Sequence, residues 1–484
     1  MSSGRLCELY PSAGNLFDIF LHLLLLCIQI PFLISVPFWI LLPFPPVTFV
    51  LGIIGFWTVN QSICYVLNGS KIEYQSDPKY AVPRKEHEHE QWVFLNGVAV
   101  GRHWLKSNVN RLALTFGRPV LGIHNKSNGI LFDVIQCLIQ RNFNYATQDI
   151  RDCYLTVKEL LYRPDLTKIV FILHSQGGIE GGMVIDWLLQ EVPQDLLAKL
   201  EVYTFGNAAN HFNNPHTLLM SQHAALSHPS IPATTESRNL IHYHDAIPNG
   251  INGTSTAPEN VRDSRQSTSG KAIRYIEHYA NSFDYVARWG VSSFIRSYSP
   301  SAASARFMGR VFEQTGRGHL LNEHYLDTMF PLKRTEDGSG GIGNTGFLGA
   351  DEEDNKFVES YLEIQVGRGK KHEVMPGDER EGLETSYCGT HGESFKKRPE
   401  NGNIIKAFLV GSITPPRTEA ESPQDCKEME CATNGVGATN GHLESSDEKI
   451  RFKVKDMSRL WLYRNGRCPR LDEVDFGVAR MATM

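Results

Sequence analysis

Hydrophobic residues are concentrated at the amino end of the chain. Residues 19–42 read IFLHLLLLCIQIPFLISVPFWILL, which is 24 residues without a formal charge, and a second apolar run covers residues 47–67. A bilayer core needs about 20 such residues. The apolar stretch of a cleaved signal peptide is shorter, about 7–15 residues, and a buried core helix rarely lacks charge for so long. The pattern therefore predicts a membrane anchor of one or two apolar helices in residues 1–70.

The segment between the two apolar runs leaves the membrane topology open. Residues 43–46 read PFPP, and this break would let two helices turn back within or across the bilayer. A single span, two spans and a hairpin are all compatible with this pattern. Cations are sparse before the first run and denser after the second, where the chain carries Lys71, Lys79, Arg84 and Lys85. This asymmetry favours a cytosolic location for the rest of the chain, and we expect it at the endoplasmic reticulum or a lipid-droplet surface.

The apolar pattern changes from Trp92 onwards to strands that alternate with helices. Strands are predicted at residues 92–98, 119–125, 168–173, 200–206 and 239–245, and helices at 102–116, 132–142, 149–163, 179–192, 273–290 and 319–330. This alternation is typical of an α/β domain with a mainly parallel sheet flanked by helices, predicted here over residues 71–332. Residues 333–484 are predicted to form a partly disordered C-terminal extension, because Gly, Ser, Thr, Glu and Pro dominate residues 333–350 and 411–448.

Composition and charge argue against nucleic-acid binding. The 484 residues are 41% hydrophobic and 21% charged, with a formal net charge of −5. No nucleic-acid partner is expected, because such a partner requires a basic footprint. The nine cysteines form no CxxC pair, which favours a reducing compartment. His87 and His89 lie in the run KEHEHEQ, and we interpret them as part of a solvated charged run rather than as metal ligands.

The most informative stretch is KIVFIL-HSQGG-IEGGMVIDWLL, around Ser175. A continuous apolar strand leads directly into the serine, and a helix begins just after it. A sharp turn from strand to helix exposes the serine Oγ, and the start of the helix directs backbone N–H groups towards developing negative charge. Gly177 and Gly178 would permit the close approach of helix and strand that such a turn needs. Ser175 is therefore the predicted nucleophile.

HSQGG resembles the nucleophile elbow of α/β-hydrolases, the superfamily of lipases and serine esterases. VYTFGNAANHF (202–212) followed by NLIHYHDAIPNG (239–250) is similar to the class 3 lipase arrangement, and the likeness covers about residues 92–332. The sequence departs from the G-x-S-x-G pattern at one position, where Leu173 replaces the first glycine. A bulky side chain there crowds the turn, so either its geometry is relaxed or activity is impaired.

The resemblance implies a carboxylate and a histidine that follow the serine in the chain. On that likeness Asp245, at the end of the strand predicted at 239–245, is the acid. His319, in a glycine-rich loop that opens a helix, is the preferred base. His278 and His324 are the alternative bases, although each is more easily explained by packing or surface exposure.

The oxyanion donors of this superfamily are backbone N–H groups. The resemblance assigns one of them to Gln176, the residue after the nucleophile. The second would come from the loop after the first strand, FLNGVAVGRHW, where Asn96 and Gly97 replace the usual His-Gly pair. Val98, or Ala99 beside it, would then supply the N–H.

The predicted function is hydrolysis of an acyl ester, expected to be that of a lipid, through an acyl-enzyme and without a cofactor or metal. The lipid substrate and the membrane are the expected partners. A lysophospholipid, a neutral glyceride, a protein thioester or a sterol ester would all suit the sequence, since a fold does not determine the substrate. Two alternatives stay open: a catalytically inactive membrane scaffold, which Leu173 favours, and an acyltransferase that uses the same triad.

Overall fold

The computed structural model describes residues 3–42, 45–215, 271–296, 307–336, 338–352, 355–364, 404–410 and 452–469. Asp245 and the strand predicted at residues 239–245 lie outside these described residues, as does the low-complexity stretch 411–448.

Two long helices form the amino end. Helix α1 spans Ala13–Leu41 and α2 spans Pro46–Asn68. The side chain of Ser12 caps α1 by accepting a hydrogen bond from the backbone N–H of Asn15. Both helices are long and apolar enough to cross a membrane, which agrees with the anchor predicted from the sequence.

Strands follow in the order β1 to β12 along the described chain. They are Glu73–Gln75, Glu90–Leu95, Val120–Ile123, Lys168–His174, Leu200–Phe205, Tyr275–Phe283, Gly309–Arg317, Leu332–Arg334, Phe347–Ala350, Tyr361–Ile364, Ile404–Val410 and Phe452–Lys453. Strands β8 and β9 pair separately, whereas the other ten form one mixed sheet in the order β1-β3-β2-β4-β5-β6-β7-β11-β10-β12. The six strands from β3 to β7 in that order are mutually parallel. The α/β class with a mainly parallel sheet is therefore confirmed.

Helices cover both faces of the sheet. They are α3 Arg102–Phe116, α4 Ile130–Phe143, α5 Gln148–Tyr162, α6 Gln176–Glu191, α7 Gln194–Leu197, α8 Tyr285–Trp289 and α9 Val291–Arg296. Further short helical segments are Gly4–Leu6, Lys85–His87, Leu321–Leu326, Asp327–Met329, Ile342–Asn344, Val454–Met457, Arg459–Leu462 and Arg464–Gly466. Strand β4 contributes to two cores, with Val170 and Ile172 in one and Phe171 and Leu173 in the other. Every apolar side chain of β4 is buried, as a central parallel strand requires.

The order of the strands reverses beside β4. The chain passes from β2 to its neighbour β3 and then crosses back to β4 on the opposite side of β2. Loops that follow β2 and β4 therefore depart in opposite directions. In open α/β sheets, ligands bind outside the carboxyl ends of the strands at such a point.

Parts of the chain beyond residue 332 pack into the same core. Leu460, Trp461 and Tyr463 are buried against the sheet. The guanidinium of Arg459 forms a fully buried ion pair with Glu201 on β5, with Nη2 3.0 Å from Oε1. Described residues of the range 333–484 thus contribute to the sheet and to its core.

The helix predicted at residues 273–290 is wrong. The structure forms strand β6 and then the short helix α8. Glu277, His278 and Asn281 within β6 are buried and have polar partners, as for His278, which contacts the Thr204 hydroxyl of the neighbouring strand β5 at 2.8 Å. The boundary between β6 and α8 determines the position of Asp284, which lies between the two elements.

Candidate active site

Ser175 occupies the sharp turn between β4 and α6. Its backbone has φ +60° and ψ −121°, a region in which a non-glycine residue is strained and which is common at functional sites. Two glycines make room for the turn. A Cβ at Gly177 would lie 2.6 Å from the carbonyl oxygen of Leu95, and a Cβ at Gly97 would overlap the Ser175 side chain.

Leu173 fits beneath the helix without disturbing this turn. Its side chain packs against Gly181 of α6, and a Cβ at position 181 would overlap the leucine Cδ1. Position 173 lacks the glycine of the G-x-S-x-G pattern, and Gly181 in the helix provides the space for the leucine side chain instead. Leu173 is fully buried in the core that β4 shares with α5 and α6, so the crowding expected from the sequence is relieved.

His319 contacts both the serine and a carboxylate. Its Nε2 lies 2.7 Å from the Ser175 Oγ, and its Nδ1 lies 2.7 Å from the Asp284 Oδ2. A carboxylate only accepts hydrogen bonds, so Nδ1 carries the proton of the imidazole and donates a hydrogen bond to Asp284. In the neutral imidazole, Nε2 is then free to accept the hydrogen bond that the Ser175 hydroxyl donates. Ser175 is buried, whereas the His319 side chain is 26% exposed.

Asp284 is held at the end of β6 by three donors. Besides His319, the Tyr325 hydroxyl donates to Oδ2 at 2.6 Å, and the backbone N–H of Val286 in α8 donates to Oδ1 at 2.9 Å. Burial by itself would raise the pKa of this carboxyl. The hydrogen bonds that the carboxylate accepts and its electrostatic attraction to the His319 ring outweigh that effect and hold the pKa below its usual value. Asp284 is therefore an anion that orients the imidazole.

Gly206 leaves the space in which the acid and the base meet. It ends the TFG sequence after β5, with φ +55°, a conformation that favours glycine. A Cβ at this position would lie 2.9 Å from the Asp284 Oδ2 and 3.0 Å from the His319 Cε1. The glycine of the TFG motif is thus required by the contact between Asp284 and His319.

The sequence candidates for the base and the acid fall into three groups. The structure brings His319 to Ser175. His278 is buried in β6, and His324 accepts a hydrogen bond from the backbone N–H of Leu320, so both have packing roles. Asp245 lies outside the described residues. Asp284 was missed because the predicted helix at 273–290 hid the strand end that carries it; the available signal was an Asp that caps a new helix.

His174, just before Ser175, packs against the His319 imidazole. Its Nε2 donates to the backbone carbonyl of His319 at 2.8 Å, and the two rings stack with centroids 4.9 Å apart. Burial and the nearby His319 lower the pKa of His174 to about 3. His174 is therefore neutral at pH 7.

The predicted oxyanion donors lie beside the nucleophile. Gln176 opens α6, so its backbone N–H has no partner within the helix. Its side chain accepts from Asn125 Nδ2 at 2.9 Å and donates to Gln140 Oε1 at 2.9 Å. In the loop after β2, the N–H of Ala99 already donates to Asp133 at 2.8 Å, which leaves Val98 as the second candidate in that loop.

His87 belongs to a small cluster elsewhere on the domain. Ligand atoms of His87, Glu90 and Cys468 lie within 4.8 Å of one another. The Glu90 carboxylate, however, already pairs with Arg118 and Lys168, each at 2.8 Å. Two cations at this point disfavour a metal ion, so the cluster is best explained by its ion pairs.

No model of a known protein family, no curated protein and no solved structure matches this chain.

Proposed function

We propose that this chain is a membrane-associated serine hydrolase of the α/β-hydrolase type that cleaves an acyl ester. The observation that carries the proposal is the continuous contact from the Ser175 Oγ through His319 to Asp284, with both links at 2.7 Å. A serine with a base in reach, and a third group that orients the base, is the arrangement that activates a hydroxyl nucleophile.

The placement of the three residues in the fold supports the same proposal. The serine follows β4, the acid follows β6 and the base follows β7. Their order along the chain is Ser, Asp, His, which is the order in α/β-hydrolases. The carboxyl ends of parallel strands meet at one edge of the sheet, so this order brings the three side chains together.

The proposed reaction follows the steps of acyl transfer. The Ser175 Oγ attacks the ester carbonyl carbon while its proton passes to His319 Nε2. Asp284 stabilises the resulting imidazolium, and the N–H groups of Gln176 and Val98 would bind the oxyanion. His319 then protonates the leaving alcohol. Water, deprotonated by the same nitrogen, releases the acid and restores Ser175.

A lipid ester is the proposed substrate. The two apolar helices are long enough to cross a membrane, and a hydrolase tethered there meets lipids laterally. The inactive-scaffold alternative loses its main support, because Leu173 is accommodated by Gly181. Water is the proposed acyl acceptor, and the experiment distinguishes hydrolysis from acyl transfer to an alcohol.

The proposal is tested with the full-length chain in vesicles that contain mono- and diacylglycerols or lysophospholipids. In water labelled with oxygen-18, hydrolysis releases a labelled fatty acid, whereas transfer to an added alcohol forms an unlabelled ester. We expect labelled fatty acid from the wild type and none from Ser175→Ala. Ser292→Ala is the matched control because Ser292 is a buried serine outside the triad. Equal turnover by Ser175→Ala and the wild type would refute the proposal.

A further inference from the structure

Helix α4 has the reverse of the usual amphipathic arrangement. Its inner face buries Asp133, Cys137 and Gln140. Its outer face carries Val134, Ile135, Leu138 and Ile139, which are between 40% and 46% exposed. A surface helix normally turns such an apolar stripe towards the core, so this face needs an apolar environment outside the domain.

The outer face of α4 is continuous with the anchor helices. The Phe132 ring of α4 packs edge-on against Phe56 of α2, with centroids 6.0 Å apart. Just before α4, the carbonyl of Asn128 accepts a hydrogen bond from Gln29 of α1 at 2.6 Å. Whatever medium surrounds α1 and α2 therefore reaches α4 as well.

The anchor helices are fixed to the domain along half of their length. The polar residues of α1 that are buried, Asn15, Asp18, His22 and Gln29, lie in its first 17 residues, and Asn60 and Asn68 are buried at the far end of α2. Several of them bond directly to the domain. Asn15 Oδ1 accepts from the indole N–H of Trp104 at 3.1 Å, and Asn68 Nδ2 donates to the Ser127 carbonyl at 2.7 Å.

The remaining parts of the two helices, which we call the hairpin arms, are residues 30–41 and 46–59. None of their residues is buried. At 1.5 Å per residue the arms are about 18 and 21 Å long, whereas the hydrocarbon core of a bilayer is about 30 Å thick. Crossing it completely would draw Gln29 and Asn60 from their partners into hydrocarbon, where unpaired polar groups are costly.

We propose that the hairpin arms and the outer face of α4 form one surface that is immersed in a phospholipid membrane from one side. The arms end within the hydrocarbon core without crossing it, and α4 lies along its boundary. This inference concerns membrane contact and does not rest on the proposed hydrolase activity.

Immersion of α4 would place the site beside the lipid. From its inner face, Gln140 bonds to Gln176, the neighbour of the nucleophile, and Asp133 bonds to the backbone of Ala99 in the loop after β2. The helix that faces the membrane is thus hydrogen-bonded to Gln176, one predicted oxyanion donor, and to Ala99, the neighbour of Val98, the other.

Photo-crosslinking tests the contact of α4 with lipid. The full-length chain carries p-benzoylphenylalanine in place of Leu138 and is irradiated in phosphatidylcholine vesicles. Leu155 on α5 is the matched control, an exposed leucine on another helix (60%), and Ile40 in an arm is the positive control (73%). We expect phospholipid adducts at positions 138 and 40 and none at 155. Absence of an adduct at 138, or a crosslink there to a second copy of the chain, would overturn the proposal.

A cysteine at the tip tests the depth of insertion. Leu42→Cys is treated with a membrane-impermeant maleimide on either side of sealed vesicles, and peptides are identified by mass spectrometry. The exposed native Cys468 marks the side of the domain. We expect position 42 to react only after detergent is added, because the tip ends within the bilayer. Reaction from the side opposite Cys468 would show complete spans and contradict the proposal. Ser175→Ala should give the same results in both experiments, so loss of catalysis is distinguishable from loss of membrane contact.

Discussion

His319 Nδ1 lies 2.7 Å from Asp284 Oδ2, although the two residues are 35 positions apart in the chain. They follow the neighbouring parallel strands β7 and β6, so both emerge at the same edge of the sheet. Gly206, at the end of β5, leaves the space for their contact. Three adjacent strand ends thus determine which carboxylate contacts the His319 imidazole.

Exchange of Asp284 for asparagine tests this assignment. Asp284→Asn keeps the shape of the side chain but allows the wrong imidazole tautomer, and we expect kcat to fall by about 10⁴-fold, as for the same change in a known triad. Asp245→Asn is the control, since Asp245 is the acid that the sequence resemblance implies. We expect it to keep nearly full activity. The opposite pattern would return the role of the acid to Asp245.

Two histidines should respond differently to alanine. His319→Ala removes the base, so we expect activity to fall by at least about 10³-fold with little change in stability. His278→Ala removes a buried ring that bonds to Thr204 at 2.8 Å and to the Met308 carbonyl at 3.0 Å. We expect it to lower the free energy of unfolding by roughly 2–4 kcal/mol while the folded fraction stays active. Measurements of activity and of urea unfolding on the same samples check both predictions. A His278→Ala variant that is inactive but stable would contradict the assignment of His319 as the base.

The fit between Leu173 and Gly181 should be visible as energetic coupling. Gly181→Ala places a Cβ against the leucine, and we expect it to destabilise the fold by about 1–3 kcal/mol. Leu173→Ala removes the obstructing atoms, so the double variant should be more stable than the sum of the two single changes predicts. Unfolding free energies of the four proteins measure this coupling. Strict additivity would show that the two side chains do not share the space.

Glu8 should make stability dependent on pH. Its carboxyl is buried and accepts a hydrogen bond from the Asn322 backbone N–H at 2.9 Å, in the helical segment just after His319. Burial raises its pKa from 4.5 to about 7, so between these values the folded state binds more protons than the unfolded chain. The contribution of Glu8 to the free energy of unfolding is complete below pH 4.5, and about 3 kcal/mol of it is lost as pH rises through 7. Glu8→Gln should remove this slope from thermal unfolding measured between pH 4.5 and 8; parallel curves for the two proteins would refute the prediction.

The sequence predicts those structural elements that a single short segment of the chain determines. The apolar run before Ser175 and the glycines after it predict a strand, a turn and a helix, because one short segment carries all the determinants. Helix α3 has the predicted bounds, residues 102–116. His319 stands out through the glycines before it and the helical pattern after it. The structure brings Ser175 and His319, both predicted from the sequence, into contact.

Features that depend on distant partners could not be predicted. Strand β6 has helical spacing in its sequence, and only the neighbouring strands show that His278 and Asn281 are buried polar residues with partners. Helix α4 was predicted from its apolar positions. Its apolar side nevertheless faces outwards, because Asp133 and Gln140 find hydrogen-bond partners on the inside.

The central claim is that Ser175 is an activated nucleophile, and covalent labelling tests it most directly. The full-length chain in native membranes is treated with a fluorophosphonate, and the adduct is located by mass spectrometry. We expect one adduct, on the Ser175 Oγ, which is lost in Ser175→Ala and strongly reduced in His319→Ala. An unlabelled wild-type chain, or an adduct on a different serine, would contradict the account.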